Sequence, residues 1–148
     1  MLEKKTNAVR ENSRGWMIQV LSARLDKAME KQLQAVNLNI RQFGIMMTIL
    51  EKGGQTQNQI GEKFSMPAHA VSRALDRLEV LGYVERKSHK TSRRALSIFA
   101  TQEGEELAPR LFAIVKDVNR DLLKSLSDDE NEVFGTLLKK ILQDFSTQ

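Results

Sequence analysis

The feature that most constrains this chain is a change of period at Gly82. Ahead of it, "SMPAHAVSRALDRLEVLGY" gathers Val71, Ala74, Leu75, Leu78 and Leu81 on one side when stepped round at about 100° per residue. Pro67 falls where a first helical turn tolerates it, and Gly82 where a helix ends. After Gly82 the pattern alternates: Tyr83 to Lys87 and Ala95 to Phe99 read as two strands, with Leu96, Ile98 and Ala100 on one side. The polar tip "SHKTSRR" between them makes a β-hairpin. Upstream, "TQNQIGEKF" opens with Thr56 and has Gln59 three residues on, the spacing of a capping box, and is only about two turns long. Two short helices, the second closed by glycine and followed at once by a hairpin, fit a helix-turn-helix with a wing.

The hairpin carries an unbalanced charge. Arg86, Lys87, Lys90, Arg93 and Arg94 are cationic, and after Glu85 no acid appears until Glu103. Residues 56–101 hold eight Lys/Arg against four Asp/Glu, a balance of +4; residues 102–148 hold six against ten, or −4; residues 1–55 hold nine against five, or +4. That asymmetry suggests a polyanion facing the middle of the chain, against the plain alternative of a solvated surface. A tip bearing Lys90, Arg93 and Arg94 can reach a flanking minor groove or the DNA backbone, where the potential is most negative. On the preceding helix His69, Ser72, Arg73, Asp76, Arg77 and Glu79 share the side away from the core. A major groove admits such a helix, with arginine bonding guanine in bidentate fashion and Ser72 and His69 reaching a base edge or phosphate. The competing reading is a surface helix in which Arg73 and Arg77 pair with Asp76 or Glu79.

Flanking helices supply the rest. Residues 12 to about 36 read as a long amphipathic helix with Ile18, Leu21, Leu25, Ala28, Met29 and Val36 on one face and a second patch at Trp16 and Val20. "RQFGIMMTILEKGG" is a short apolar helix closed by Gly53 and Gly54. Thr101 can cap a helix over about 102–125 with a stripe of Leu107, Leu111, Val115, Val118 and Leu122, and Pro109 inside it should kink it or break an early turn. Ser127 and Glu130 stand at capping-box spacing ahead of a last helix whose Phe134, Leu137, Leu138, Ile141, Leu142 and Phe145 make a wide apolar arc. So much apolar surface exceeds what one lobe of a 148-residue chain needs to cover, which favours a homodimer.

Other chemistry finds little footing. With no cysteine, disulfides and thiolate sites are excluded. His69 and His89 are the only histidines, too few for a metal site that needs three or four ligands, and no cofactor is expected. No glycine-rich phosphate loop, nucleophile elbow or paired carboxylates appear, so an enzyme is rejected. The acids Asp128, Asp129 and Glu130 suit a helix start. Trp16, Met17, Met46, Met47 and Phe112 are candidates for a ligand pocket, with ordinary core as the competing reading. The opening segment is too polar for a signal peptide and no apolar run spans a membrane, so a cytoplasmic protein without a membrane partner is expected.

The run "TQNQIGEKFSMPAHAVSRALDRLEVLGYVERKSHKTSRRALSIFATQEG" resembles the signature region of the MarR family of bacterial transcriptional regulators. The resemblance rests on "VSRALDRLEVLGYVER", a wing ending in Arg94, and Thr-x-x-Gly at Thr101 to Gly104; it covers about residues 42–104 closely. It implies a mainly α fold: a winged helix-turn-helix over 41–101 with its wing at about 83–100, and terminal helices, 1–40 and 102–148, forming a dimerisation region. It further implies a homodimer, most often a repressor, on pseudopalindromic double-stranded promoter DNA, released in many relatives by a small anionic or aromatic ligand. Ser72, Arg73 and Arg77 would then lie in the major groove, Arg94 would be the wing arginine, and Thr56 and Gln57 would meet phosphate. With Arg86, His69, Lys90 and Arg93 these make up the DNA-binding set. Ile18, Leu21, Leu25, Leu137, Leu138, Ile141, Leu142 and Phe145 make up the dimerisation set. The chain departs from the family in having Ser92 where an aspartate usually orients the wing arginine. The alternative in a different class is a winged-helix protein–protein module without sequence-specific DNA binding.

Overall fold

A computed structural model gives the fold for residues 1–89 and 91–145, with the backbone alone described at 89 and 92–94. The elements in order are α1 (Leu2–Glu11), α2 (Arg14–Leu33) with a 3-10 turn (Gln34–Val36), α3 (Ile40–Glu51), β1 (Gln55–Thr56), α4 (Gln57–Phe64), α5 (Ala68–Val80), β2 (Val84–His89), β3 (Ser92–Ala100), α6 (Gln102–Leu122) and α7 (Asp128–Phe145). They form two compact units, one of Met1–Leu25 with Lys116–Gln148 and one of Asp26–Val115.

The Asp26–Val115 unit is organised around the helix-turn-helix. Ile45, Met46 and Ile49 of α3, Ile60 of α4, Val71, Leu75 and Leu78 of α5, and Val84 and Ile98 of the hairpin are buried. Met29, Leu33, Val36 and Leu38 join them, as do Leu107, Leu111 and Ile114 of α6. The unit therefore reaches past 41–101, because the end of α2 and the first half of α6 contribute buried leucines. The sheet has three antiparallel strands in the order β1-β3-β2. β1, too short to show alternation in the sequence, pairs Gln55 with Ile98 and Thr56 with Ser97. In the hairpin Val84 faces Ala100, Arg86 faces Ile98 and Ser88 faces Leu96, with a register shift between Ser88 and His89.

Local chemistry explains the boundaries. Thr56 accepts the amide of Gln59 while Gln59 accepts the amide of Thr56, the reciprocal cap that starts α4. α3 starts on a second such box, Asn39 with Gln42, which the sequence reading did not identify. Pro67 is the N-cap of α5 rather than a residue of its first turn, and no helical N–H is lost there. Gly54 at φ 84 and Gly82 at φ 79 take the left-handed conformation that lets the chain leave α3 and α5. α6 runs through Pro109, so the expected break is not found. The buried stripe of Leu107, Leu111, Ile114 and Val118 on both sides of the proline outweighs one missing backbone hydrogen bond. Ile114 takes the buried place expected of Val115, which is half-buried.

In the other unit, α1 is a helix the sequence did not announce. It buries no residue, and its only apolar residues, Leu2, Ala8 and Val9, are too few to make a stripe. Glu3 in its first turn and Arg10 in its last suit the helix dipole, and the Arg10 guanidinium lies 4.9 Å from the centre of the Trp16 ring. α7 opens on the Ser127–Glu130 box, in which the hydrogen bonds from the Ser127 amide and to the Ser127 hydroxyl oxygen connect the two residues. Hydrogen bonding to the Glu130 carboxylate from the Ser127 amide, the larger cause, and from the Ser127 side chain holds that carboxyl below the ordinary glutamate range. α7 buries none of its residues, and Leu137, Leu138, Ile141, Leu142 and Phe145 are all exposed. On α2, Ile18 is exposed and Leu21 and Leu25 are half-buried. Among the described residues no helix is long and apolar enough to cross a membrane.

Candidate nucleic-acid interface

α5 carries the centre of the site. Its inner side, Val71, Ala74, Leu75 and Leu78, is buried, which fixes the opposite side outward. His69, Arg73, Asp76, Arg77 and Glu79 are exposed and Ser72 is half-buried. The sequence left open whether Arg73 and Arg77 would pair with Asp76 and Glu79, and the structure decides this. The two acids are held instead by Arg86, whose guanidinium meets Asp76 at 2.7 Å and Glu79 at 2.8 Å. The same guanidinium donates to the Ser72 carbonyl at 3.3 Å. Arg73 and Arg77 have no ion-pair partner among the described residues.

Arg86, expected among the DNA contacts, is turned toward α5. Its side chain is only 18% exposed, and three of its interactions go to α5. Register explains the direction: Arg86 lies opposite Ile98 and two residues from Val84, both buried, and alternation sends all three side chains to one face. The alternation from Val84 was present in the sequence and, weighed above the local charge run, would have placed Arg86 inward. An inward guanidinium beside α5 needs carboxylates, since an unpaired buried charge is costly. Asp76 and Glu79 supply them. The helix thereby loses two competing negative charges from its outer side and keeps two uncompensated arginines.

Around α5 the neighbouring elements hold the other expected residues. Thr56 and Gln57 lie at the start of α4, where the Thr56 hydroxyl oxygen is engaged in the cap and the Gln57 amide donates to the Ala68 carbonyl at 3.5 Å. Both side chains are half-buried. In the wing, Lys87 pairs with Glu85 at 2.9 Å and stands 5.2 Å from the centre of the Phe99 ring. Lys90 lies outside the described residues, as do the side chains of His89, Ser92, Arg93 and Arg94; only the strand backbone of the latter four is described.

The wing is anchored at its base by the Thr-x-x-Gly motif. The Thr101 amide donates to the Tyr83 carbonyl at 3.0 Å and its hydroxyl donates to the Gly82 carbonyl. The same hydroxyl oxygen accepts the Gly104 amide at 3.1 Å, capping α6. Gly104 is required for close approach: a Cβ there would stand 2.1 Å from the Tyr83 oxygen. One short motif thus joins the end of α5, the first strand of the wing and the start of α6.

The candidate ligand-pocket residues are divided. Trp16 and Met17 belong to the terminal unit, and Met46, Met47 and Phe112 to the other. Met46 is fully buried between α3 and α6, its Cε 3.0 Å from where a Gly104 Cβ would stand, so it is core rather than lining. Phe112 is exposed. Among the described residues no group of three or more His, Asp or Glu could hold a metal ion.

Comparison with known proteins gives a consistent result. A family model described as "MarR family" matches residues 36–95, from the 3-10 turn to the wing. The multiple antibiotic resistance protein MarR of Escherichia coli is 26% identical over 129 residues, 86% of this chain and 90% of that one. The transcriptional regulator PecS of Dickeya dadantii is 27% identical over 124 residues, 82% of this chain and 75% of that one. The crystal structure of apo MarR from Escherichia coli superposes with a TM-score of 0.80 at 26% identity, covering 88% of this chain and 97% of the other. A mutant of that protein complexed with operator DNA gives 0.74 at 26% identity, over 86% and 92% of the respective chains.

Proposed function

We propose that the chain, similar to the MarR family over residues 36–95 and to MarR of Escherichia coli at 26% identity, is a winged-helix transcriptional regulator of that family that binds operator DNA as a homodimer, reading sequence with α5. The observation that carries this reading is the pair of uncompensated arginines, Arg73 and Arg77, on a helix whose own acids are held by Arg86. Arginine bonds guanine O6 and N7 in the major groove, and Ser72 and His69 stand beside it for a neighbouring base edge or phosphate. Thr56 and Gln57 at the start of α4 are suited to the backbone, and the wing with Lys90, Arg93 and Arg94 to the flanking groove. The structural neighbour bound to operator DNA supports the same use of the fold.

Dimerisation is supported by the apolar face of α7. Leu137, Leu138, Ile141, Leu142 and Phe145 form an exposed surface of the kind that monomers rarely keep. Ile18, Leu21 and Leu25 of α2 extend the candidate interface. Division of labour follows: residues 1–40 and 102–148 assemble the dimer, and 41–101 contact DNA. A two-fold protein selects a pseudopalindrome, and the expected action is repression, relieved by a small anionic or aromatic ligand.

The test is fluorescence anisotropy on a duplex selected from random-sequence DNA, against an unrelated duplex, for the wild type and Arg73→Ala. The expected result is a loss of about 1–3 kcal/mol on the selected duplex and little change on the unrelated one. Equal binding of both duplexes by the wild type would favour the protein–protein module instead.

A further inference from the structure

A cleft of about 290 Å³ separates the start of α3 from the start of α5, lined by Asn39, Arg41, Gln42, His69 and Arg73 with Ala70 and Ala74 at its floor. Its charged and titratable lining is two arginines and a histidine, with no carboxylate. Neither Arg41 nor Arg73 has an ion-pair partner among the described residues, and both are exposed. The polar groups that could have served them internally are engaged elsewhere: Asn39 and Gln42 cap one another, and Asp76 and Glu79 are held by Arg86. The cleft is therefore a cationic recess beside the major-groove helix, with two fork-shaped donors on different helices facing one volume.

We infer that this cleft seats a phosphate of the DNA backbone, with Arg41 as a DNA contact outside the helix-turn-helix and wing. The inference rests on the DNA-binding reading above and extends it to a residue that neither the charge run nor the helix pattern pointed to. Charge complementarity selects the occupant: guanidinium groups pair with phosphate oxygens through parallel hydrogen bonds, and the volume admits one phosphate group with its bridging sugars. Arg73 reaches toward bases from the same helix face. A phosphate held by Arg41 on α3 would fix the register at which Arg73 meets the groove, since backbone contacts position a protein while base contacts specify the sequence.

The experiment measures binding of the full chain to the selected and unrelated duplexes over a salt series, for the wild type, Arg41→Ala and Arg41→Lys, with circular dichroism to confirm the fold. Removing one phosphate contact should reduce the slope of log affinity against log salt by about 0.9 and weaken binding roughly three- to tenfold on both duplexes alike. Arg41→Lys should keep the slope, because it keeps the charge. Arg73→Ala should differ by losing preference for the selected duplex. An unchanged slope in Arg41→Ala, with selective wild-type binding intact, overturns the cleft assignment and leaves the DNA-binding reading standing. Non-selective binding by the wild type overturns the sequence-reading function first, and an intact Arg41 slope effect on both duplexes would then still support the cleft. Titration with inorganic phosphate in the absence of DNA separates the two sources of the anion. Arg41-dependent phosphate binding without any change in the DNA salt slope means a free anion occupies the cleft and overturns the proposal.

Discussion

In the Asp26–Val115 unit the large apolar residues are sealed, with Ile45, Leu75, Leu78 and Ile98 fully buried, while arginines stand on its surface without partners. In the terminal unit the distribution is reversed: α7 buries nothing, and its exposed residues include Ile141, Leu142 and Phe145. Both parts contain amphipathic helices, and the Asp26–Val115 unit adds the three-stranded sheet. What differs is what completes them. One has a finished core and arginines left unpaired on its surface, and the other a near-even balance of ten Lys/Arg against nine Asp/Glu and an unfinished core. On the proposed reading each part is incomplete toward a different class of partner, a polyanion in one case and a second copy of the chain in the other.

The largest effect should come from breaking the terminal unit's side of that contrast. Leu137→Asp with Ile141→Asp puts charge at the centre of the exposed face; light scattering should report a monomer, and operator affinity should fall at least a hundredfold as the second half-site is lost. A retained dimer would place the interface elsewhere. Within the finished unit, Gly104→Ala forces a Cβ against the Tyr83 oxygen and should cost about 3 kcal/mol in a urea titration. A cost below about 1 kcal/mol would mean that the wing base yields easily.

A smaller effect sharpens the electrostatic half. Arg86→Gln frees Asp76 and Glu79, which can then turn to Arg73 and Arg77. After discounting for the exposure of both acids, the stability loss should be about 1–2 kcal/mol. Binding to the selected duplex should weaken as well, and the companion change Asp76→Asn with Glu79→Gln should restore it. Restoration separates a neutralising role from a direct contact by Arg86. The smallest expected effect concerns Glu130. Its folded carboxyl titrates below the ordinary value of 4.5, so the contribution is full above that value and lost as pH falls through the lowered one. Glu130→Gln should remove this acid-side component from the pH profile of thermal unfolding and leave the neutral-pH profile flat.

Much of the fold was legible because it rests on local chemistry. Thr56 with Gln59, Ser127 with Glu130, Pro67, Gly82 and Thr101 each fix a boundary within a few residues of chain, and all act at the boundaries they mark. α1 was not legible because only Leu2, Ala8 and Val9 of its ten residues are apolar, too few to mark a face. β1 was not because two residues cannot alternate, and its pairing depends on β3, more than forty positions on. For the site, the outward side of α5 could be read from its inner side. The direction of Arg86 was misjudged because charge was weighed above strand alternation. Arg41 escaped notice because only the tertiary meeting of α3 and α5 sets it beside Arg73.

The anchoring of the wing at Thr101 also bears on how such a chain tolerates changes of length. The hairpin base is pinned to Gly82 and Tyr83 and to the start of α6, so an inserted residue there would dislodge three elements together.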